Sequence, residues 1–243
     1  MSDVGPGLRA RQREARWSAI LDATAALLRE RRLDAVTVQD IAGLAQVSPA
    51  TVFNLVGTRD VLLLALADRV LDVVVSDALA VYASEPDPAD ALRRVVDGAV
   101  ARLTADSAVY RQVVGAVGHL AARGTRVASD PAGAFLAGLR GAQRAGLVDT
   151  RTPADVLARQ VYLGFLGAMF AWSGGGLTDA GFLAAARNTL GVVLVAAATP
   201  AHRDRFAAQL ATWEAELAAA GWKPREADGS MEADSGQDRM VSR

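Results

Sequence analysis

Between Thr37 and Thr58 the chain reads TVQDIAGLAQVSPATVFNLVGT, and three helix starts fall within that short stretch. Thr37 offers the side-chain oxygen that an N-cap needs, and Asp40 sits three residues on, where a capping box usually carries Glu. Ile41, Ala42, Leu44 and Ala45 give the following helix one apolar side, and Gln46 and Val47 form a turn. Ser48 is a second N-cap, followed by Pro49 at the first helical position, where a missing N–H costs nothing. Gly57 stops that helix, and Thr58 caps the next, with Asp60 favourable in its positive first turn. The spacing predicts two short helices at a sharp angle, buttressed by a third: a helix-turn-helix.

Shortness suits such a pair to DNA. A major groove about 12 Å wide accepts one helix, and only its first residues need to reach base edges. Ala50 and Thr51 are small enough for close approach, Thr51 carries a hydroxyl and a methyl, and Asn54 has an amide that can read adenine. The free N–H groups at Ser48 and Thr58 suit phosphate oxygens.

Elsewhere the sequence is helical and nearly free of strand alternation. Trp17, Ile20, Leu21, Thr24, Leu27 and Leu28 follow i, i+3, i+4 spacing, as do Leu92, Val95, Val96, Ala99, Val100 and Leu103. Further helices are expected from Pro153 to Trp172, from Thr178 through the apolar run to Ala198, and after Thr199 and Pro200 with the stripe Phe206, Leu210, Trp213 and Leu217. The expected fold is all-α. At 51% hydrophobic over 243 residues the chain can bury one large core or two small ones. Residues 1–12, aperiodic and Arg-bearing, are expected to be a flexible basic arm, and 223–243 a disordered tail.

With no Cys, disulfides and thiolate metal sites are excluded. His119 and His202 stand apart from each other and from any carboxylate cluster with ligand spacing, and no glycine-rich phosphate loop occurs. No catalytic residue, metal site or cofactor is therefore expected, and the chain is not read as an enzyme. The N-terminus lacks the apolar core of a signal peptide, and apolar stretches are broken by Gly, Arg or Asp, so a cytoplasmic protein with no membrane partner is expected. A net charge of −1 gives no global pull toward nucleic acid, leaving local patches to provide it.

Residues 20–66, ILDATAALLRERRLDAVTVQDIAGLAQVSPATVFNLVGTRDVLLLAL, closely resemble the DNA-binding region of TetR-family transcriptional regulators. The resemblance implies a three-helix DNA-binding domain over 13–60 and a larger helical effector-binding and dimerisation domain over 61–222. It also implies a homodimer on a palindromic operator, repression by default, and a small-molecule effector. Where the family usually shows Tyr, a polar or aromatic residue, His or Tyr, and Phe, this chain has Phe53, Asn54, Leu55 and Val56. Two plausible phosphate ligands are thus missing, which shifts the expected grip to Arg59, backbone N–H groups and Arg9, Arg11, Arg13 and Arg16. The expected DNA-facing set is Arg13, Arg16, Thr37, Ser48, Pro49, Ala50, Thr51, Phe53, Asn54, Thr58 and Arg59. Leu55 and Val56 also support the alternative of a helical interaction protein that has lost DNA binding.

For the body, Tyr110, His119, Phe135 and Tyr162, with Phe165, Met169 and Trp172, are the bulky residues with some polar capacity, and they form the candidate effector pocket. Few charges lie in the inner helices, so an apolar or neutral effector is expected. Small residues let helices pack closely, which makes Gly164, Gly167, Ala168, Leu190, Gly191 and Leu194 the candidate dimer interface.

Overall fold

The computed structural model describes residues 6–122 and 131–221. The expected disordered tail, 223–243, lies outside the described residues, as do the first five residues of the expected arm. Ten α-helices occur among the described residues: α1 Pro6–Glu30, α2 Val38–Leu44, α3 Pro49–Val56, α4 Arg59–Ser84, α5 Pro88–Thr104, α6 Ser107–Ala122, α7 Pro131–Arg144, α8 Ala154–Ser173, α9 Asp179–Ala197 and α10 Arg203–Ala219. A single antiparallel bridge, Val148 to Ala198, is the extent of β pairing there.

The flexible arm is corrected at once, because α1 already begins at Pro6. Proline is at home at a first helical position, and Leu8, Arg9, Ala10, Arg11 and Gln12 all have good helix propensity, so local preference carries the helix beyond its buried part. Burial begins near Trp17: Ile20, Leu21, Leu27 and Leu28 are buried, and the enclosed Thr24 hydroxyl donates to the Ile20 carbonyl at 2.8 Å.

Two cores result. In the head, that face of α1 packs with Ile41 and Ala42 of α2, Val52 and Val56 of α3, and Leu62, Leu63 and Leu66 of α4. In the body, the predicted stripe of α5 packs with Leu139 of α7, Trp172 of α8, Leu190 and Leu194 of α9, and Phe206 of α10. Complete burial of such side chains stabilises by roughly 1.5–3 kcal/mol each. By length and composition α9 could cross a membrane, but its Phe182, Leu190 and Leu194 are enclosed in this core.

The expected boundary between 60 and 61 does not separate the two cores. Helix α4 feeds the head with Leu66 and the body with Val70, while α6 gives Val109 and Val113 to the head and Val114 to the body. The seam is also polar. Gln112 of α6 donates to the carbonyls of Leu28 (2.8 Å) and Arg31 (3.3 Å) and accepts from the Leu33 N–H (2.7 Å), so it satisfies groups that the end of α1 leaves without helical partners. Arg29 reaches Asp106 at 2.6 Å beside it.

Candidate nucleic-acid interface

The three caps form as hydrogen bonds. Thr37 Oγ1 accepts from the Asp40 N–H at 3.2 Å, and Asp40 Oδ2 accepts from the Thr37 N–H at 3.1 Å and its hydroxyl at 2.7 Å, closing the box. Those bonds from Thr37 hold the Asp40 carboxyl below the usual carboxylate range. At the turn, Gln46 takes φ 55°, while its N–H reaches the Gly43 carbonyl (3.3 Å) and that of Val47 reaches Ala42 (3.0 Å). This is a Schellman closure with glutamine in the left-handed place that glycine usually fills.

Ser48 Oγ accepts from the Thr51 N–H at 3.1 Å and lies 2.8 Å from Thr51 Oγ1. Pro49 follows as the first helical residue, and Gly57 at φ 79° closes α3. Thr58 Oγ1 accepts from the Val61 N–H at 3.3 Å. Val52 and Val56 face the head core, so geometry turns Ala50, Phe53 and Asn54 outward, and Phe53 is 56% exposed. Val56 is therefore a core residue with no outward role. Leu55 is half-buried and does two things: it packs against the head core and lines a surface cleft. Arg59 donates to the Leu33 carbonyl, so part of its guanidinium is committed to holding the head together.

That cleft, about 310 Å³, runs between α1 and α3 and is lined by Arg9, Gln12, Arg13, Arg16, Thr51, Asn54 and Leu55. Arg13, Arg16, Thr51 and Asn54 are thereby brought together as a group. Gln12 was missed by the sequence reading and Arg9 was left to a flexible arm, although their positions relative to Arg13 and Arg16 repeat at helical spacing.

The body residues are less unified. Phe135, Phe165, Phe182 and Trp172 make a chain of ring contacts with centroids 6.2, 5.5 and 5.2 Å apart. Trp172 is 0% exposed, so it borders no space large enough for water. Its Nε1 donates to Asp179 Oδ1 at 2.7 Å, and Arg111 lies over its ring at 4.6 Å while donating to the same oxygen at 2.9 Å. Ser107 Oγ donates to the other oxygen at 2.8 Å. Burial pushes the Asp179 carboxyl up, but bonds from Trp172, Arg111 and Ser107 outweigh it and hold it below the usual range. His119 is exposed on α6. Trp172 and His119 are thus corrected as pocket walls: one is sealed into the core and the other faces solvent. Tyr110, half-buried between the two cores, has its phenol pushed up by burial, and Tyr162 and Met169 pack on the body core.

The dimer set changes more. Ala168, Leu190, Gly191 and Leu194 are buried within the chain itself. A Cβ on Gly191 would stand 2.9 Å from both Leu210 and Trp213 of α10, and one on Gly164 would strike Thr189 of α9. Both glycines allow a close approach of helices, and the helix that approaches belongs to the same chain. Of the expected residues Gly167 is exposed, and beside it on α8 lie the exposed Val156, Leu163 and Phe170, with Val192 on α9.

Residues 20–66 match the family model described as bacterial regulatory proteins, tetR family. Solved structures share the overall arrangement. RolR in complex with resorcinol aligns with TM-score 0.62 at 15% identity, over 83% of this chain and 95% of that one. SmeT, the repressor of the Stenotrophomonas maltophilia multidrug efflux pump SmeDEF, gives 0.58 at 20% identity over 76% and 91%. FadR, a Thermus thermophilus TetR-family repressor in complex with lauroyl-CoA, gives 0.59 at 17% over 73% and 93%. The chain has the fold of a TetR-family regulator. No curated protein matches it. Within this TetR-family fold the matched segment begins at Ile20, so the cleft-lining arginines precede it.

Proposed function

We propose that the protein is a sequence-specific, DNA-binding regulator of transcription: a homodimeric, ligand-responsive repressor acting on a palindromic operator in the cytoplasm. The observation that carries this reading is the capped α2–α3 pair, which leaves Ala50 exposed and turns Thr51 and Asn54 toward an arginine-lined cleft. Two such heads about 34 Å apart engage successive major grooves. The exposed stripe Val156, Leu163, Gly167 and Phe170, joined by Val192, supplies the apolar face for the second copy, because i, i+7, i+11 and i+14 share one side of α8. An effector that binds better to a body geometry with a different head separation lowers DNA affinity by that preference.

The effector is read as apolar or neutral. RolR holds resorcinol and FadR holds lauroyl-CoA, chemically unlike ligands, so each body sets its own choice. Here the Tyr82 hydroxyl is enclosed without a hydrogen-bond partner among the described residues, close to Leu92 and Gly138.

Genomic fragments retained by the full chain and then sequenced test the core of the proposal. A shared inverted repeat is expected, and retention without any common sequence would refute specific regulation. Light scattering tests the assembly: a dimer is expected, converted to monomer by Leu163→Glu, and a wild-type monomer that still binds the repeat tightly would remove the dimer from the mechanism.

A further inference from the structure

The first three turns of α1 contribute nothing to the head core, whose α1 residues begin at the partly buried Trp17. They nevertheless form a helix, and Arg9, Gln12, Arg13 and Arg16 fall on one side of it at i, i+3, i+4 and i+7. That side forms one wall of the cleft, and Thr51, Asn54 and Leu55 of α3 form the other. Like charges at such spacing oppose helix formation unless something of opposite sign sits among them. Among the described residues none of these three arginines has a carboxylate partner, whereas Arg29, Arg69, Arg102, Arg111, Arg187 and Arg205 each hold one. The cleft therefore gathers three uncommitted guanidinium groups and an amide beside the helix that carries the base-reading residues.

We propose that this cleft is a phosphate-binding site for the DNA backbone, in which Arg9, Gln12, Arg13 and Arg16 grip the strand flanking the groove that α3 enters. The inference rests on the DNA-binding reading and adds to it a contact borne by a helix of fixed phase, where a loose tail would have none. From Arg9 to Arg16 the helix advances roughly 10 Å, enough to follow about three phosphates at about 3.4 Å of axis each along one strand. Guanidinium forks match phosphate geometry and bond it bidentately. Leu55 puts an apolar side chain on the α3 wall where a hydroxyl or imidazole would otherwise bind phosphate, so the arginines across the cleft take over that task. Arg11, expected from the sequence to share the grip, is corrected by its place: two residues from both Arg9 and Arg13, it lies about 200° around the helix and outside the cleft, which makes it the internal control.

The test uses the full chain and four variants, Arg9→Gln, Arg13→Gln, Arg16→Gln and Arg11→Gln, each with a melting curve to show an intact fold. Affinity is titrated against salt on the inverted repeat recovered from genomic fragments and on a random duplex of equal length. The three cleft substitutions should each flatten the slope of log K against log salt by about 0.9 on both duplexes, and Arg11→Gln should leave it unchanged. Equal flattening by Arg11→Gln would show a diffuse basic segment with no built site. Losses confined to the repeat would make the arginines base readers, and unchanged slopes would remove them from the interface; each of these overturns the proposal while leaving DNA binding intact. A wild type that binds neither duplex would overturn the DNA reading itself.

Discussion

Head and body are both helical, yet they treat their charges differently. In the body, Arg187 of α9 joins Asp97 of α5 at 2.7 Å and Glu216 of α10 at 3.0 Å, Arg205 reaches Asp87 at 2.7 Å, and Arg102 reaches Asp77 at 2.9 Å. The solvent-exposed pairs among these contribute only about 0–1 kcal/mol each, and their chief effect is to commit those guanidinium groups within the chain. On the outer turns of α1 the cations have no such partners, and on α3 an aromatic ring and an amide stand in solvent. These body arginines find their anions within one chain, whereas the cleft arginines of α1 have no carboxylate partner among the described residues.

The sharpest challenge to this contrast is to ask whether the two regions fold as one. Phe182→Ala empties a fully buried site in the body and should cost about 3–5 kcal/mol. Because α4 and α6 serve both cores, head and body should then melt together at a lower temperature, as followed by circular dichroism and by hydrogen exchange resolved for α1–α3 and α7–α10; a head signal that persists after the body has melted would break the shared-helix picture. Next in size is Asp179→Ala, which strands the buried Trp172 N–H and should cost about 1–3 kcal/mol. Since the folded Asp179 carboxyl lies below its ordinary value, its contribution is full above pH ~4 and declines as pH falls through the folded value. Melting temperature should accordingly drop more steeply on acidification for the wild type than for the variant, and parallel curves would contradict that assignment. Ser48→Ala removes one cap and should cost about 1 kcal/mol in thermal melts, with DNA affinity reduced as the start of α3 frays. Smallest is Gln46→Gly, which relieves a left-handed conformation and should raise stability by up to ~1 kcal/mol; a fall in melting temperature would mean that the glutamine side chain earns its place.

What the sequence made legible follows the range of the interactions. Caps at Thr37, Ser48 and Thr58 join atoms three residues apart, so local order was enough to find them. The α5 stripe was equally plain, because six apolar residues at helical spacing leave one choice of inner face. Leu190, Gly191 and Leu194 show where local information ends: their composition announces close packing, but only the return of α10 across α9 shows what packs there. Phe165 and Trp172 likewise look the same in sequence whether they wall a cavity or fill a core. The early start of α1 was missed because attention to apolar periodicity overlooks a periodicity of arginines. Leu55 stands where the family usually carries His or Tyr, and the structure gives it both a core contact and a share of the cleft.

Helix α4 is 26 residues long, so it works as a pointer roughly 39 Å in length. Pivoted at its body end by about 5°, it sweeps the opposite tip through about 3 Å, close to the spacing of one base pair, about 3.4 Å along the duplex. A deflection small enough for the body to absorb without unpacking is thus, at the far end, an error of one step in reading.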